Sequence, residues 1–407
     1  MNKSPTRQKA ASASDVLALA RTLVQPLSTE RILLRDVVGR VLRESVCPLE
    51  DQPAFDRSSV DGYAVRRDDT AAVFRIVEEI RAGDWKPREM QLGEAVRIAT
   101  GGALPAKDLK VIMREDAEAQ GGMLRVNGRE EDLHIRFRGE DARTGQVLVE
   151  EGTLLHPGAA ALLASLGCAA PLVTRLPRVL HLATGNEIVP PEQPLARGQI
   201  RDSNSTLVRT FLKSWNVEPV QLRVSEDESE ARKALADALP GIDLLLISGG
   251  ASVGEHDFTR RLLESFGYAV HVSKTTARPG KPLIFAQGRD GFAFGLPGNP
   301  LSHFVCLNLY VRALLEGLAG RSAALPSKFH IGALACDFTA DANSRETFWP
   351  ARWALDNGAV FLTPLRWSSS GDLTALATTN ALVRVTAGAR EWERGRKVEF
   401  LFTDQRA

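Results

Sequence analysis

The chain has 407 residues, 44% hydrophobic and 25% charged, with a formal net charge of +1. This composition builds packed cores and excludes a mainly disordered chain, while the length implies two to four domains. The near-zero charge excludes a global field that recruits nucleic acid or an acidic membrane, and no apolar run approaches the roughly 20 residues of a membrane helix.

The opening MNKSPTRQKAASAS is basic, Ser-rich and free of acids, and lacks the apolar stretch of a signal peptide. It reads as a solvated tail rather than a transit peptide. SDVLALARTLVQPL then predicts a helix, with Ser14 as N-cap and Val16, Leu19, Ala20 and Leu23 at helical spacing. From about 29 to 149, AAVFRIVEEI, EAVRIATG, KVIMRE and GMLRVNG are short, β-leaning and broken by Gly and Asp, which predicts a β-rich region. HPGAAALLASLGCAA predicts a helix opened at Pro157 and stopped at Gly167.

After it, strands and helices alternate. RVLHLAT, VQLRV, IDLLLI, YAVHV, LIFA and FAFG read as strands. DSNSTLVRTFLKSWN, SEDESEARKALADAL and the stretch through Phe258, Leu262, Leu263 and Phe266 read as helices, as does the segment from Pro300. Ser225 and Glu228 fit a capping box for the second of these. Continuous apolar strands alternating with helices predict a doubly wound, mostly parallel α/β domain at about 177–325. The tail from 326 is β-rich again, and 1–28 with 150–176 is expected to form a helical linking domain. Cys47, Cys168, Cys306 and Cys336 are scattered without a CxxC pair, which disfavours zinc, iron–sulfur and disulfide frameworks and fits a reducing cytosol.

Open α/β sheets bind ligands beyond the carboxyl ends of their strands. The loops there are TGNEIVPP, SEDESE, SGGASVGEHD, ARPGKP and GLPGNP. In SGGASVGEHD, Gly249 and Gly250 let backbone N–H groups converge on an anion, and Ser248 and Ser252 add hydroxyl donors. Asp257 reads as either the next helix's N-cap or a polar ligand to a metal or nucleotide. Asn299 and Pro300 form a standard helix start; Gly295, Pro297 and Gly298 add a rigid turn poor in side chains. Arg278 and Lys281 flank Pro279 and Gly280, and two such cations favour a polyanion. GxGxxG, a P-loop and HExxH are all missing. In the first half, Asp56 and Asp61, Thr100, and Glu140 with Asp141 mark turns between strands.

FDRSSVDGYAV, TGGALP, RGEDARTG, ATGNEI, DSN, SGGASVGEHD, RPGKP and GLPGNP, in that order, resemble the molybdopterin molybdenumtransferases of MoeA type, also found as the E domain of gephyrin. The resemblance implies four domains per protomer and a homodimer with a shared active site. It implies adenylylated molybdopterin and molybdate as substrates, Mg²⁺ as cofactor, and molybdenum cofactor and AMP as products. It assigns Asp227 and Asp257 to Mg²⁺, with Glu187 nearby, and Arg278 and Lys281, with Ser370, to molybdate and phosphate. Asp61, Thr100 and Asp141 belong to the β-rich domain, which would face the partner's α/β domain. Catalytic roles fall to Asp61, Asp141, Asp227, Asp257 and Lys281. Thr100, Glu187, Ser248, Gly249, Gly250, Ser252, Arg278, Pro297, Gly298, Asn299, Pro300 and Ser370 would contact substrate. The family more often has Asn at Arg57, Ala-Met at Ser59-Val60, Asp at Asn186, Val at Ala251 and Lys at Arg278, with Gly-Ser at Ser369-Ser370.

Molybdopterin adenylyltransferase, which shares the SGG loop, is the nearest rival; VDGYA and RGED favour insertion. A non-enzymatic scaffold is the second. The expected location is cytoplasmic, with the adenylyltransferase and molybdoenzyme apoproteins as partners, and neither nucleic acid nor membrane.

Overall fold

The computed structural model describes residues 10–128, 131–249, 253–321, 329–340, 343–388 and 391–403, and only the backbone of 253–256. Gly250, Ala251 and Ser252 lie outside the described residues, as do the first nine. The chain forms two compact units, Arg31–Val38 with Leu42–Pro171, and Met1–Glu30 with Gly39–Val41 and Leu172–Ala407.

Helix α1 (Ala13–Leu23) belongs to the second unit. Its N-cap is Ser12, not the expected Ser14. Ser12 Oγ accepts from Asp15 N–H at 3.1 Å, and the Asp15 carboxylate accepts from Ser12 N–H in return.

The first unit is built on a six-stranded sheet. In chain order its strands are β1 (Gly62–Arg66), β2 (Val73–Ile80), β3 (Glu94–Ile98), β4 (Leu109–Met113), β5 (Ala117–Gln120) and β6 (Met123–Val126). Their spatial order is β4-β1-β3-β2-β6-β5. Only β2 and β3 run parallel; the other pairs are antiparallel. Two-residue periodicity splits the apolar side chains into two cores, Ile80, Val96 and Val111 in one and Phe74, Ala95 and Leu124 in the other. Helix α2 (Pro157–Ser165) starts at His156, whose ring accepts from two backbone N–H groups, and ends before Gly167 at φ +74°. Residues 150–171 cluster with the β-rich sheet and 1–28 with the other unit.

The second unit carries the expected α/β sheet. Its elements are β7 (Val179–Thr184), α3 (Ser203–Lys213), β8 (Val220–Val224), α4 (Glu228–Ala238), β9 (Leu244–Ser248), α5 (Val253–Ser265), β10 (Ala269–Val272), β11 (Ile284–Gln287) and β12 (Phe292–Leu296). The order is β8-β7-β9-β12-β11-β10, with the first four parallel and the last two antiparallel. Every residue of β9 is buried, because helices cover both faces. Leu244 and Leu246 join α1, α3 and the helical segment from Pro300 on one side, while Leu245 and Ile247 join α4 and α5 on the other. That segment consists of α6 (Pro300–Cys306), a π-turn at Leu307–Val311 and α7 (Arg312–Leu318).

A closed five-stranded barrel follows, from β13 (His330–Leu334), β14 (Thr347–Asp356), β15 (Ala359–Pro364), β16 (Ala381–Val385) and β17 (Lys397–Phe402), ordered β13-β15-β14-β16-β17. Trp349, Val383 and Phe400 fill it, whereas Phe348, Leu382 and Leu401 point the other way into the α/β core. Alternation along three strands thus welds barrel to sheet. Among the described residues no helix is long and apolar enough to cross a membrane.

Candidate active site at the strand ends

The carboxyl ends of β7, β8, β9 and β12 converge, as parallel strands must, and their loops interlock. Asn186 Oδ1 accepts from Glu226 N–H at 3.2 Å, tying the loop after β7 to the one after β8. Glu187 folds back over Gly185, where an added Cβ would lie 2.8 Å from its carboxylate. Both Asn186 and Glu187 are exposed.

Three of the loop residues have structural partners. Ser248 is not an open hydroxyl donor: it is the buried end of β9, with Oγ 2.5 Å from His181 Nε2. Gly249, at φ +115°, is small because a Cβ would sit 2.3 Å from the Thr184 carbonyl. Strand packing thus requires a glycine at this position. Gly295 is likewise buried in β12, where a Cβ would come within 2.9 Å of Thr259 on α5.

The carboxylates also differ from expectation. Asp227, not a Ser225–Glu228 box, caps α4, with Oδ1 accepting from Glu230 N–H at 2.8 Å; Ser225 Oγ is engaged by Glu230. Asp257 is not an N-cap: α5 starts at Val253, and Asp257 stands exposed in its second turn. Asn299 occupies the N-cap position of α6 without capping it. Its Nδ2 donates instead to Ser370 Oγ at 2.7 Å, and the Ser370 carbonyl accepts from Leu301 N–H at 3.1 Å. Ser370 therefore supplies the acceptor at that helix start. Its loop is organised by Asp372, which accepts from Ser368 and Thr374 through N–H and O–H groups alike; the Thr374 hydroxyl leads in holding this carboxyl well below the usual carboxylate range.

Beneath the loops runs a buried polar network. Asp202 caps α3 through Ser205 N–H and pairs with Arg223 at 2.8 Å. Gln221 Nε2 donates to His181 Nδ1 at 3.1 Å, which leaves the Nε2 proton of His181 for Ser248. Asn204 Nδ2 donates to the Gly298 carbonyl at 2.8 Å, and His303 Nδ1 contacts the Pro297 carbonyl at 3.1 Å. Burial lowers both imidazoles, His181 to about 3 and His303 to about 4, so both are neutral at pH 7. The adjacent Pro297 and Gly298 are held from below; Pro300 opens α6.

The cationic end lies where the loop after β10 meets the barrel. Arg278 N–H donates to the Glu346 carbonyl at 2.8 Å, and Phe348 N–H donates to the Arg278 carbonyl at 2.7 Å. The Arg278 guanidinium stands 5.2 Å above the Trp367 ring. Arg345 is beside it: burial first, then the Arg278 charge, pulls Arg345 below the usual arginine range. Lys281 is exposed. Sequence reading missed Arg345 and Trp367, because the only signals were an arginine in SRETF and one of several tail tryptophans. Two partly buried guanidiniums whose charges oppose each other suit an oxyanion.

In the β-rich unit, Asp61 and Thr100 do come together: Asp61 Oδ1 accepts from Thr100 N–H at 2.7 Å and from its hydroxyl at 2.8 Å. Those bonds, the N–H first, lower the Asp61 pKa and keep it ionised. Asp61, Glu79, Arg97 and Arg114 line a cavity of about 100 Å³. Asp141 is engaged by Arg136, which also meets Glu140 at 3.3 Å. Arg57 lies directly opposite Arg136 in register.

Comparison with known proteins follows the same segments. Residues 11–167 match the MoeA N-terminal region (domains I and II), 181–317 a probable molybdopterin-binding domain, and 332–402 the MoeA C-terminal region (domain IV). A Bacillus subtilis protein named molybdopterin molybdenumtransferase is 33% identical over 390 residues, covering 92% of this chain and 89% of its own. One of the same name from Staphylococcus epidermidis is 27% identical over 398 residues, 95% of this chain and 94% of its own. The crystal structure of the molybdopterin biosynthesis MoeA protein from Pyrococcus horikoshii aligns at a TM-score of 0.80 and 27% identity, over 97% of this chain and 100% of that one.

Proposed function

The chain belongs to the molybdopterin molybdenumtransferase family, transferases that insert molybdenum into molybdopterin, and from that premise we propose that it acts on adenylylated molybdopterin and molybdate, releasing AMP and forming molybdenum cofactor. The observation that carries the oxyanion half of this reading is the Arg278–Arg345 pair, partly buried beside Trp367. An oxygen of molybdate attacks the activated phosphate, and the bond from that phosphate to AMP breaks; the two thiols of the pterin then displace two oxygens at molybdenum, one departing with the restored phosphate and one as water that takes the thiol protons. Arg278, Arg345 and Lys281 neutralise the anion, and the 297–299 loop and Ser370 orient it.

Among the described residues no group of three His, Cys, Asp or Glu could hold a metal alone. Mg²⁺ suits such a sparse site, since it takes one or two carboxylates and completes its shell with water and substrate phosphates. Asp227 and Asp257 fit that donor set, and Glu187 is exposed on the loop that Asn186 ties to Glu226. When bound, Mg²⁺ supplies positive charge at the phosphates. The same reading includes a homodimer with a shared active site containing Asp61, Thr100 and Asp141, a cytoplasmic location, supply by molybdopterin adenylyltransferase, and delivery to molybdoenzyme apoproteins.

The test is AMP release from adenylylated molybdopterin with Mg²⁺, with and without molybdate. Molybdate-stimulated release is expected, and Asp257→Ala should lower it at least 100-fold, the scale of removing an electrostatic stabiliser, about 10²–10³. Unchanged release by Asp257→Ala would remove the Mg²⁺ assignment; AMP consumption by the wild type would indicate adenylylation instead.

A further inference from the structure

We propose that Trp367 is the positioning residue for the oxyanion: it holds Arg278 as a fixed planar fork, so that the site binds its anion by two parallel N–H contacts rather than by a mobile point charge. This rests on the oxyanion reading of the site given above, and it concerns the position where this chain carries Arg and the family more often carries Lys.

Four observations carry it. The Arg278 backbone is pinned on both sides by β-type bonds, its N–H to Glu346 and its carbonyl from Phe348 N–H. The side chain then lies over the Trp367 face, with the guanidinium 5.2 Å from the ring centroid. Trp367 is itself fixed: its ring meets Trp349 edge-on at 5.4 Å and 80°, and Trp349 Nε1 is anchored on the Leu365 carbonyl at 2.8 Å. Finally, Trp367 Nε1 is buried and has no hydrogen-bond partner among the described residues, so the ring is placed by its faces and edges and not by its own polar bond.

The chemistry of the two cations explains why the pair matters. A guanidinium is planar, stacks on an aromatic face and presents parallel donors; an ammonium is a compact, strongly hydrated charge that is drawn to the ring but has no plane for the ring to align. Stacking also restricts the rotamers of a long side chain before the anion arrives, so less freedom is lost on binding. Trp367 is therefore expected to act through Arg278, with coupling that a lysine cannot reproduce.

The experiment is a double-mutant cycle on the full-length protein: wild type, Trp367→Leu, Arg278→Lys and the double variant. Each is titrated with sodium molybdate by calorimetry and assayed for the molybdate KM and the kcat of AMP release. Trp367→Leu is expected to weaken molybdate binding by about tenfold with Arg278 present and by less than about twofold in the Arg278→Lys background, with kcat at saturating molybdate little changed. Trp367→Phe, which keeps a smaller face and loses the indole N–H, should fall between wild type and Leu. If Trp367→Leu fails to fold, the cycle is run with Trp367→Phe and reads the same coupling. Equal losses in both backgrounds, or no loss in either, would overturn the proposal. Molybdate binding with the expected coupling but without AMP release would uphold the pair and overturn the insertion chemistry. Wild type that binds no molybdate would overturn both.

Discussion

Replacing His303 by Gln should flatten the acid sensitivity of the α/β unit. His303 and His181 are fully buried and neutral, with pKa values lowered to about 4 and about 3 from an ordinary 6.5. Between those values and 6.5 the unfolded chain binds a proton at each histidine and the folded chain does not. Stability therefore falls as pH falls, by about 1.4 kcal/mol per pH unit per histidine. The contribution is complete above pH 6.5 and lost progressively towards pH 4 and below. From pH 7.5 to pH 5.0 each histidine withdraws about 2 kcal/mol, a large share of a typical 5–15 kcal/mol. Urea unfolding, followed by tryptophan fluorescence at the two pH values, measures this. Wild type should lose about 2 kcal/mol more than His303→Gln over the same interval. Carboxylates contribute to both proteins and cancel in the difference. If the two lose equal stability, His303 is not held neutral and the description of the network beneath the 297–299 loop is wrong.

Two further outcomes follow from the same unit. Asp202→Ala should cost about 3 kcal/mol or more, because it uncaps α3 and strips Arg223 of its buried partner; Asp202→Asn should recover part of this by keeping the cap, as read by urea midpoints. Gly249→Ala should destabilise by more than about 3 kcal/mol, since its Cβ meets backbone at 2.3 Å. Gly267→Ala, also at positive φ but with open space around it, should cost only about 1 kcal/mol. Equal midpoints for the two glycine variants would show that φ alone, and not the approach of Thr184, requires glycine at 249.

Much of the fold was legible because its signals are local. The continuous apolar run of IDLLLI, the alternation of strands with helices, and Pro157 and Gly167 at the ends of α2 each depend on neighbours within one or two turns. Helix starts were legible as regions and misassigned as residues. Ser12 won over Ser14, and Asp227 over Ser225, because several polar residues in a row can each cap and packing of the helix face selects one. The family was legible because its motifs recur in order along the chain.

What the sequence by itself determined is the list of elements, the loops that gather at the strand ends, and the chemistry those loops can offer. Tertiary structure alone decided what each group in those loops faces. Ser248 and Gly249 sit on adjacent residues of one motif, yet one hydroxyl turns into the core against His181 and the glycine answers to Thr184, far back in the chain at the end of β7. Arg278, Arg345 and Trp367 carry no spacing that joins them; the bridge from Arg278 to Thr347, where β14 begins, brings the preceding Arg345 beside Arg278, and the barrel supplies the indole. The physical reason is that periodicity and capping act over a few residues, whereas burial, charge proximity and ring stacking depend on distances through space that only the packed chain creates.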